Sequence, residues 1–256
     1  RSYWEAIPRK SGQHPHCTDP VERAACPRSV TKKGNNSKMT KKGNNKATFG
    51  PASPVQKVFW DDDDTDLIIF GGGAGGGKSA MARMKILKYV NCPKFEALFV
   101  RATNPQLEQS GGLWPTSVEL YRQFGARFTS KPKKFKFPSG ATVSMMPCQD
   151  DKALANFDGG EYSLILIDEA QNHTFEQFNY LSGRNRSLSK YKSRMILTCN
   201  PLKGSWLLGF VEWYLDQVTG VPLPERANVV RYYSIVKGNI VTADSRKELV
   251  SKYPGA

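Results

Sequence analysis

No apolar run in the 256-residue sequence approaches the roughly 20 residues of a membrane-spanning helix, and no secretory signal opens it. The expectation is a protein that neither crosses a membrane nor is exported. Cysteine is scarce: Cys17, Cys26, Cys92, Cys148 and Cys199 are scattered and odd in number, which argues against a disulfide framework and fits a reducing cytoplasm. Histidine is scarcer still. His14, His16, Cys17 and Cys26 lie close together, but His-x-His-Cys with one distant cysteine fits no common zinc-finger spacing, so no zinc site is expected. Acids also run short, with 23 Asp and Glu against 37 Lys and Arg, for a net charge of +14. Such an excess suits nucleic acid or another polyanion, and equally a solvated basic face.

The charge is unevenly placed. Residues 1–50 hold 11 Lys and Arg against 3 Asp and Glu, more than half of the surplus, and contain few apolar residues. Thr31-Lys32-Lys33-Gly34-Asn35-Asn36 returns as Thr40-Lys41-Lys42-Gly43-Asn44-Asn45. Residues 1–48 are therefore expected to be a flexible basic arm that packs no core. From Phe49 the composition turns globular: a core is expected over 49–220, and 221–256 reads as the start of a linker. Short apolar runs predict strands at 67–70, 97–100, 163–167 and 195–199, with helical patterns between several of them. That alternation predicts an α/β fold with a mostly parallel sheet flanked by helices. Phe135-Lys136-Phe137, a Pro138-Ser139-Gly140 turn and Ala141–Met145 read as a β-hairpin inserted on that sheet.

What fills the first strand's exit is a glycine run. Leu67-Ile68-Ile69-Phe70 leads into Gly71 through Ser79, and the spacing Gly72-x-x-x-x-Gly77-Lys78-Ser79 satisfies the phosphate-binding P-loop pattern. Glycines let backbone amides close on the phosphates where side chains would block them. Contacts are expected from Gly72, Gly75, Gly76, Gly77 and the helix amides through Ala80, with Lys78 on the β- and γ-phosphates and Ser79 on Mg²⁺. Ala80, Met84 and Leu87 recur at helical spacing and supply the helix that the motif requires.

A second landmark is Leu164-Ile165-Leu166-Ile167-Asp168-Glu169, four aliphatics ending in two acids. It places the carboxylates at the C-terminal edge of a buried strand, where open α/β sheets bind ligands. Asp168 is the candidate for holding Mg²⁺, and Glu169 for general base toward an attacking water. Met195-Ile196-Leu197 runs into Thr198-Cys199-Asn200-Pro201, so Thr198 and Asn200 emerge beside the same edge as candidate sensors of the γ-phosphate. Upstream, the Gln56 amide has both the donor and the acceptor that the edge of adenine requires. Arg101, Arg184 and Arg186 are the candidate cations for the transferring phosphoryl group. Arg127, Lys131, Lys133, Lys134 and Lys136 alternate with Phe128 and Phe135, a pattern for a DNA backbone or for an exposed hairpin face.

Taken in order, Ser-Pro-Val-Gln at 53–56, the glycine loop at 71–79, Phe-Pro-Ser-Gly-Ala at 137–141, Ile-Asp-Glu-Ala at 167–170 and Thr-Cys-Asn-Pro at 198–201 resemble the ATPase domain of bacteriophage terminase large subunits. The resemblance continues in Trp206–Tyr214, Arg231-Tyr232-Tyr233 and Asp244–Leu249. It implies a P-loop NTPase fold of the RecA/ASCE type and an ATP- and Mg²⁺-dependent motor that drives double-stranded DNA into a capsid. It further implies a homo-oligomeric ring on the portal protein, a small terminase subunit as partner, and the host cytoplasm as location. It assigns Gln56 to adenine, Lys78 and Ser79 to phosphate and Mg²⁺, Asp168 and Glu169 to metal and water, and Thr198-Cys199-Asn200 to coupling. Members usually carry a nuclease domain after the ATPase; the sequence runs to Ala256 without one, and no DNA cleavage by this chain is expected. Two rivals share some of the motifs: a helicase-type ATPase, whose second RecA-like domain has no room after Pro201, and a nucleotide-gated DNA-binding protein, which has no need of Glu169.

Overall fold

The computed structural model describes residues 50–241 apart from 74–75, 201–203, 217, 220, 227 and 237–238. The expected arm at 1–48, Gly75 and Pro201 lie outside the described residues. Nine strands form one sheet: β1 (Leu67–Gly72), β2 (Glu96–Arg101), β3 (Arg127–Ser130), β4 (Lys133–Lys136), β5 (Thr142–Pro147), β6 (Leu164–Ile167), β7 (Arg194–Thr198), β8 (Val230–Val236) and β9 (Asn239–Val241). Their spatial order is β3-β4-β5-β2-β6-β7-β1-β8-β9. The six strands from β5 to β8 are parallel; β3, β4 and β9 add antiparallel edges.

The four strands legible as apolar runs are β1, β2, β6 and β7, and they occupy the middle of the sheet. Every residue of β1, β6 and β7 is buried, because helices or turns cover both faces and each side chain meets a core whichever way it points. One core lies on the side of Ile68, Phe70, Phe99 and Ile196, the other on that of Ile69, Leu98, Ile165 and Leu197. Among the described residues six α-helices accompany the sheet: α1 (Pro54–Asp61), α2 (Lys78–Ile86), α3 (Asn104–Glu108), α4 (Leu113–Arg122), α5 (Phe175–Ser182) and α6 (Trp206–Tyr214). Ser53 caps α1 by accepting from the Gln56 amide, with Pro54 opening the helix where no amide partner is needed.

Two expectations about organisation are corrected. The expected hairpin forms as β4–β5, with Phe135 opposite Val143, but it belongs to the core of the sheet: its second arm, β5, pairs in parallel with β2 over six residues, Glu96↔Thr142 through Arg101↔Pro147, and buries Val143 and Met145. Alternation rather than a continuous apolar run marks β5 because only one of its faces is buried. Nor does the core stop at 220, since β8 pairs with β1 from Leu67↔Val230 to Gly72↔Ile235. Val230 and Tyr233 are buried there. A Gly71 side chain would meet the Tyr232 hydroxyl at 2.7 Å and its ring at 2.8 Å, so glycine at that position serves the packing of β8 as well as the loop.

Candidate functional site

A cleft of about 220 Å³ opens at the C-terminal ends of β1, β6 and β7 and is lined by Gly76, Gly77, Lys78, Ser79, Ala80, Glu169, Thr198, Cys199 and Asn200. Three segments remote in sequence meet there. Parallel strands bring this about: every strand leaves the sheet on the same edge, so the residues following β1, β6 and β7 share one rim. Gly77 takes φ 73° immediately before α2, a left-handed turn open to glycine, and it aims the first amides of α2 into the cleft.

Lys78 folds back over the loop. Its Nζ donates to the carbonyls of Gly72 at 2.7 Å and Gly73 at 2.8 Å, and to Asn200 Oδ1 at 3.0 Å. Burial pushes the ammonium below its usual pKa, while the nearby Asp168 and Glu169 pull the other way. Burial also pushes the Cys199 thiol up to about 12, so it lines the cleft as a neutral group.

Beneath Lys78 the acids are wired to both neighbouring strands. Asp168 Oδ1 accepts from Ser79 Oγ at 2.6 Å and from the Thr198 hydroxyl. Thr198 Oγ1 in turn accepts from the Glu169 amide at 3.2 Å. Glu169 itself adopts φ 55° and ψ 51°, a left-handed backbone that costs a non-glycine residue of order 1–3 kcal/mol and that clusters at functional sites. That turn swings its carboxylate from the buried strand toward the cleft, where Arg101 holds Oε1 and Asn172 Nδ2 donates to Oε2 at 3.1 Å.

The donor set fits a magnesium ion. Asp168 Oδ2 is buried without a hydrogen bond among the described residues, and so is its neighbour Arg101 Nε, 3.3 Å away. A carboxylate oxygen beside a serine hydroxyl, with phosphates and water completing the shell, is how Mg²⁺ is usually held. No cluster of three or more His, Cys, Asp or Glu occurs among the described residues.

Gln56 lies in the first turn of α1, against the loop. Its Nε2 lies 3.5 Å from the Gly76 carbonyl and its Oε1 accepts from the Ala52 amide at 2.7 Å. Gly72, Gly76, Gly77, Lys78, Ser79, Ala80, Arg101, Asp168, Glu169, Thr198 and Asn200 converge with it. Arg184 and Arg186 do not. Arg184 receives the Tyr162 amide on its carbonyl just before β6, pairs with Asp158 at 2.6 Å and stacks on Tyr180. Arg186 lies 3.9 Å from Glu161, its side chain 68% exposed. In a parallel sheet the segment between a helix and the next strand returns to the N-terminal edge, the full length of β6, about 13 Å, from the cleft. Their assignment to the phosphoryl group of their own chain is therefore withdrawn.

Residues that sequence patterns missed include Asn172 and Gln171. The latter accepts the Asn200 amide at 3.1 Å. The signal was available: a polar side chain three residues beyond a strand-end acid can turn back onto it. Away from the cleft, Lys133 is paired with Glu108, whereas Arg127, Lys134 and Lys136 share one face of the β3–β4 hairpin by register, Arg127 directly opposite Lys136. None of the three forms an ion pair among the described residues, and Glu96 is the acid two strands along on that face.

Comparison with known proteins agrees with this architecture. The family model described as terminase large subunit, T4likevirus-type, N-terminal, matches residues 69–251. No curated protein matches the sequence. Among solved structures, the large terminase of a thermophilic bacteriophage superposes with a TM-score of 0.54 at 14% identity, over 80% of this chain and 51% of that one. A second structure of that terminase, in complex with ADP, gives 0.53 at 15% identity over 80% and 51%. A mutant ATPase domain of the Thermus phage P74-26 large terminase gives 0.51 at 13% identity over 79% and 88%. The chain thus spans about half the length of the first of these large terminases, and the likeness establishes the fold.

Proposed function

Because the chain belongs to the terminase large subunit family through its T4likevirus-type N-terminal domain, we propose that it is an ATP-hydrolysing motor domain that drives double-stranded DNA into a capsid. The observation that carries this reading is the hydroxyl relay Ser79–Asp168–Thr198–Glu169, which joins the loop, the metal-holding acid and the candidate base in one network. A protein that only binds nucleotide has no use for a second acid held at a strained backbone.

In this mechanism the amides of residues 76–80 take the phosphates, and Lys78 exchanges the Gly72 and Gly73 carbonyls for phosphate oxygens. Ser79 Oγ and Asp168 would hold Mg²⁺, which, when bound, neutralises charge on the phosphate oxygens. Asn200, already on Lys78, is placed to register whether the terminal phosphate is present. Glu169 takes a proton from the attacking water once its Oε1 lets go of Arg101. Arg101 then has a free guanidinium beside the developing charge, the role for which it, Arg184 and Arg186 were the candidates. Gln56 reads the adenine edge, and the unpaired cations of the β3–β4 hairpin favour a DNA backbone.

Assembly as a homo-oligomeric ring on a portal protein, with a small terminase subunit delivering the DNA, belongs to the same proposal. Steady-state hydrolysis of ATP by wild type and Glu169→Gln, with and without duplex DNA, tests it. DNA-stimulated turnover that Glu169→Gln abolishes is the expected result; equal turnover in both would remove the catalytic assignment.

A further inference from the structure

Helix α2 carries two lysines on one face, seven residues or two turns apart. Lys78 meets the loop. Lys85 is fully buried, and its Nζ donates to the carbonyls of Phe59 at 2.6 Å, Trp60 at 3.1 Å and Asp62 at 2.6 Å, with Asp63 Oδ1 at 3.4 Å. Those three carbonyls close the C-terminal end of α1, where unsatisfied acceptors and the negative end of the helix dipole attract a cation. The ammonium also lies over the Phe59 ring, 4.9 Å from its centroid.

The other end of α1 is fastened to the same unit, since Gln56 Nε2 meets the Gly76 carbonyl. Helix α1 therefore runs parallel to α2 and is tied to it at the loop and at Lys85, with Lys88 Nζ, just past α2, adding a bond to the Trp60 carbonyl at 2.7 Å. On α1 the loop tie at Gln56 and the Lys85 ties at Phe59, Trp60 and Asp62 lie between one and two turns apart, about 5–9 Å. Val55 and Phe59 hold α1 sideways against the core, and sliding along the axis is opposed by the polar contacts at its C-terminal end, among them Lys88 on the Trp60 carbonyl and Tyr233 on Asp62. Three directional hydrogen bonds from one buried nitrogen oppose it strongly. An ammonium withdrawn from water carries a large desolvation cost that an aliphatic residue would avoid, and such groups are kept where one arrangement must be specified.

We propose that Lys85 is a positioning residue for nucleotide selection: by fixing α1 along the axis of α2, it sets the Gln56 amide at the height of the base. The inference rests on the reading of Gln56 as the adenine contact. Adenine offers an acceptor and a donor to that amide, guanine two acceptors, so axial displacement of Gln56 weakens ATP and leaves GTP unaffected.

The test compares Michaelis constants for ATP and GTP in the full chain for wild type, Gln56→Ala, Lys85→Met and the double variant. Lys85→Met is expected to lower the GTP-to-ATP ratio of KM by roughly ten-fold, as Gln56→Ala does, with kcat at saturating ATP nearly unchanged. In the double variant the two losses are not additive, because one acts through the other. A folded Lys85→Met protein with the wild-type ratio, or losses that multiply, overturns the positioning role while leaving the Gln56 reading intact. A wild-type ratio in Gln56→Ala overturns both.

If Lys85→Met does not fold, pH takes the place of the variant. Burial lowers the Lys85 pKa to about 8; Asp63 and Asp62 pull it up, while Lys88 and Arg194 push it down. Between pH 7 and about 8.5, short of the range in which guanine itself loses a proton, the KM ratio of the wild type is then expected to fall while that of Gln56→Ala stays constant. Lys78 contacts phosphates common to both nucleotides and cancels from the ratio. A wild-type ratio that does not change with pH overturns the proposal.

Discussion

Arg101 touches both acids of the pair: Nε lies 3.3 Å from Asp168 Oδ2, and a terminal nitrogen lies 2.5 Å from Glu169 Oε1. One guanidinium at the end of β2 thus balances a fully buried carboxylate and restrains the partly exposed one next to it. Removing it leaves the Asp168 charge poorly compensated and lets Glu169 wander. Arg101→Ala is expected to lower kcat for ATP by about 10²-fold with KM changed far less, as removal of a charge-stabilising donor does. Steady-state kinetics at saturating Mg²⁺ measure it; an unchanged kcat would show that the pair needs no cation from β2.

Thr198 supplies one hydroxyl to two tasks, donating to Asp168 and accepting from the Glu169 amide. Thr198→Val keeps the shape and removes both bonds, leaving a buried amide and carboxylate each short of a partner. The expected cost is about 1–3 kcal/mol in unfolding free energy, together with a fall in kcat. Denaturant unfolding and ATPase assays on the same sample separate the two effects.

Asp63 anchors the far edge of the sheet, where it meets Lys88, Tyr89, Lys85 and Arg194. Burial works against its charged form, but hydrogen bonds from Lys88 and Tyr89 and the charges of Lys85 and Lys88 outweigh that and hold its pKa below the usual carboxylate value. A carboxyl depressed on folding contributes stability above its unfolded pKa, and that contribution is lost as pH falls through the folded value. Asp63→Asn is therefore expected to lower Tm at pH 6–7, with the gap to wild type closing below about pH 4. Thermal unfolding across that range decides it; a gap independent of pH would mean that the charge is not what matters.

Arg127 and Lys136 lie directly opposite each other, and like charges in that position oppose strand pairing. A DNA backbone against that face would relieve the repulsion. Charge reversal at Lys134 and Lys136 is expected to weaken duplex binding and to lower the slope of log K against log salt by about 0.9 per lost phosphate contact. Titrations at several salt concentrations measure it, and ATPase without DNA should not change.

Much of the fold was legible because its central strands are covered on both faces. A strand such as Leu164–Ile167 has no polar position to interrupt it, and the two acids that follow announce where it ends. Strands with one covered face carry a weaker mark: β5 alternates, and β8 enters from a turn-rich stretch, so one was taken for an ornament and the other for a linker. At the site, spacing singled out the loop groups proposed to meet phosphate, since the loop motif fixes them within one short segment. It was silent on partners contributed by topology. Nothing local distinguishes Arg101, which follows β2 onto the active edge, from Arg184, which precedes β7 on the opposite edge. The left-handed backbone at Glu169 was equally hidden, because glutamate gives no warning of it.

Strand β1, which delivers the glycine loop, has β7 on one side and β8 on the other, and both come from much later in the chain. During synthesis the loop therefore emerges well over a hundred residues before its strand gains either neighbour, and those long-range pairings are slow to close. A nascent chain that has not yet released residue 236 has the phosphate-binding residues but no complete sheet to hold them. Nucleotide affinity is thus expected to appear late and abruptly, once β8 has paired with β1.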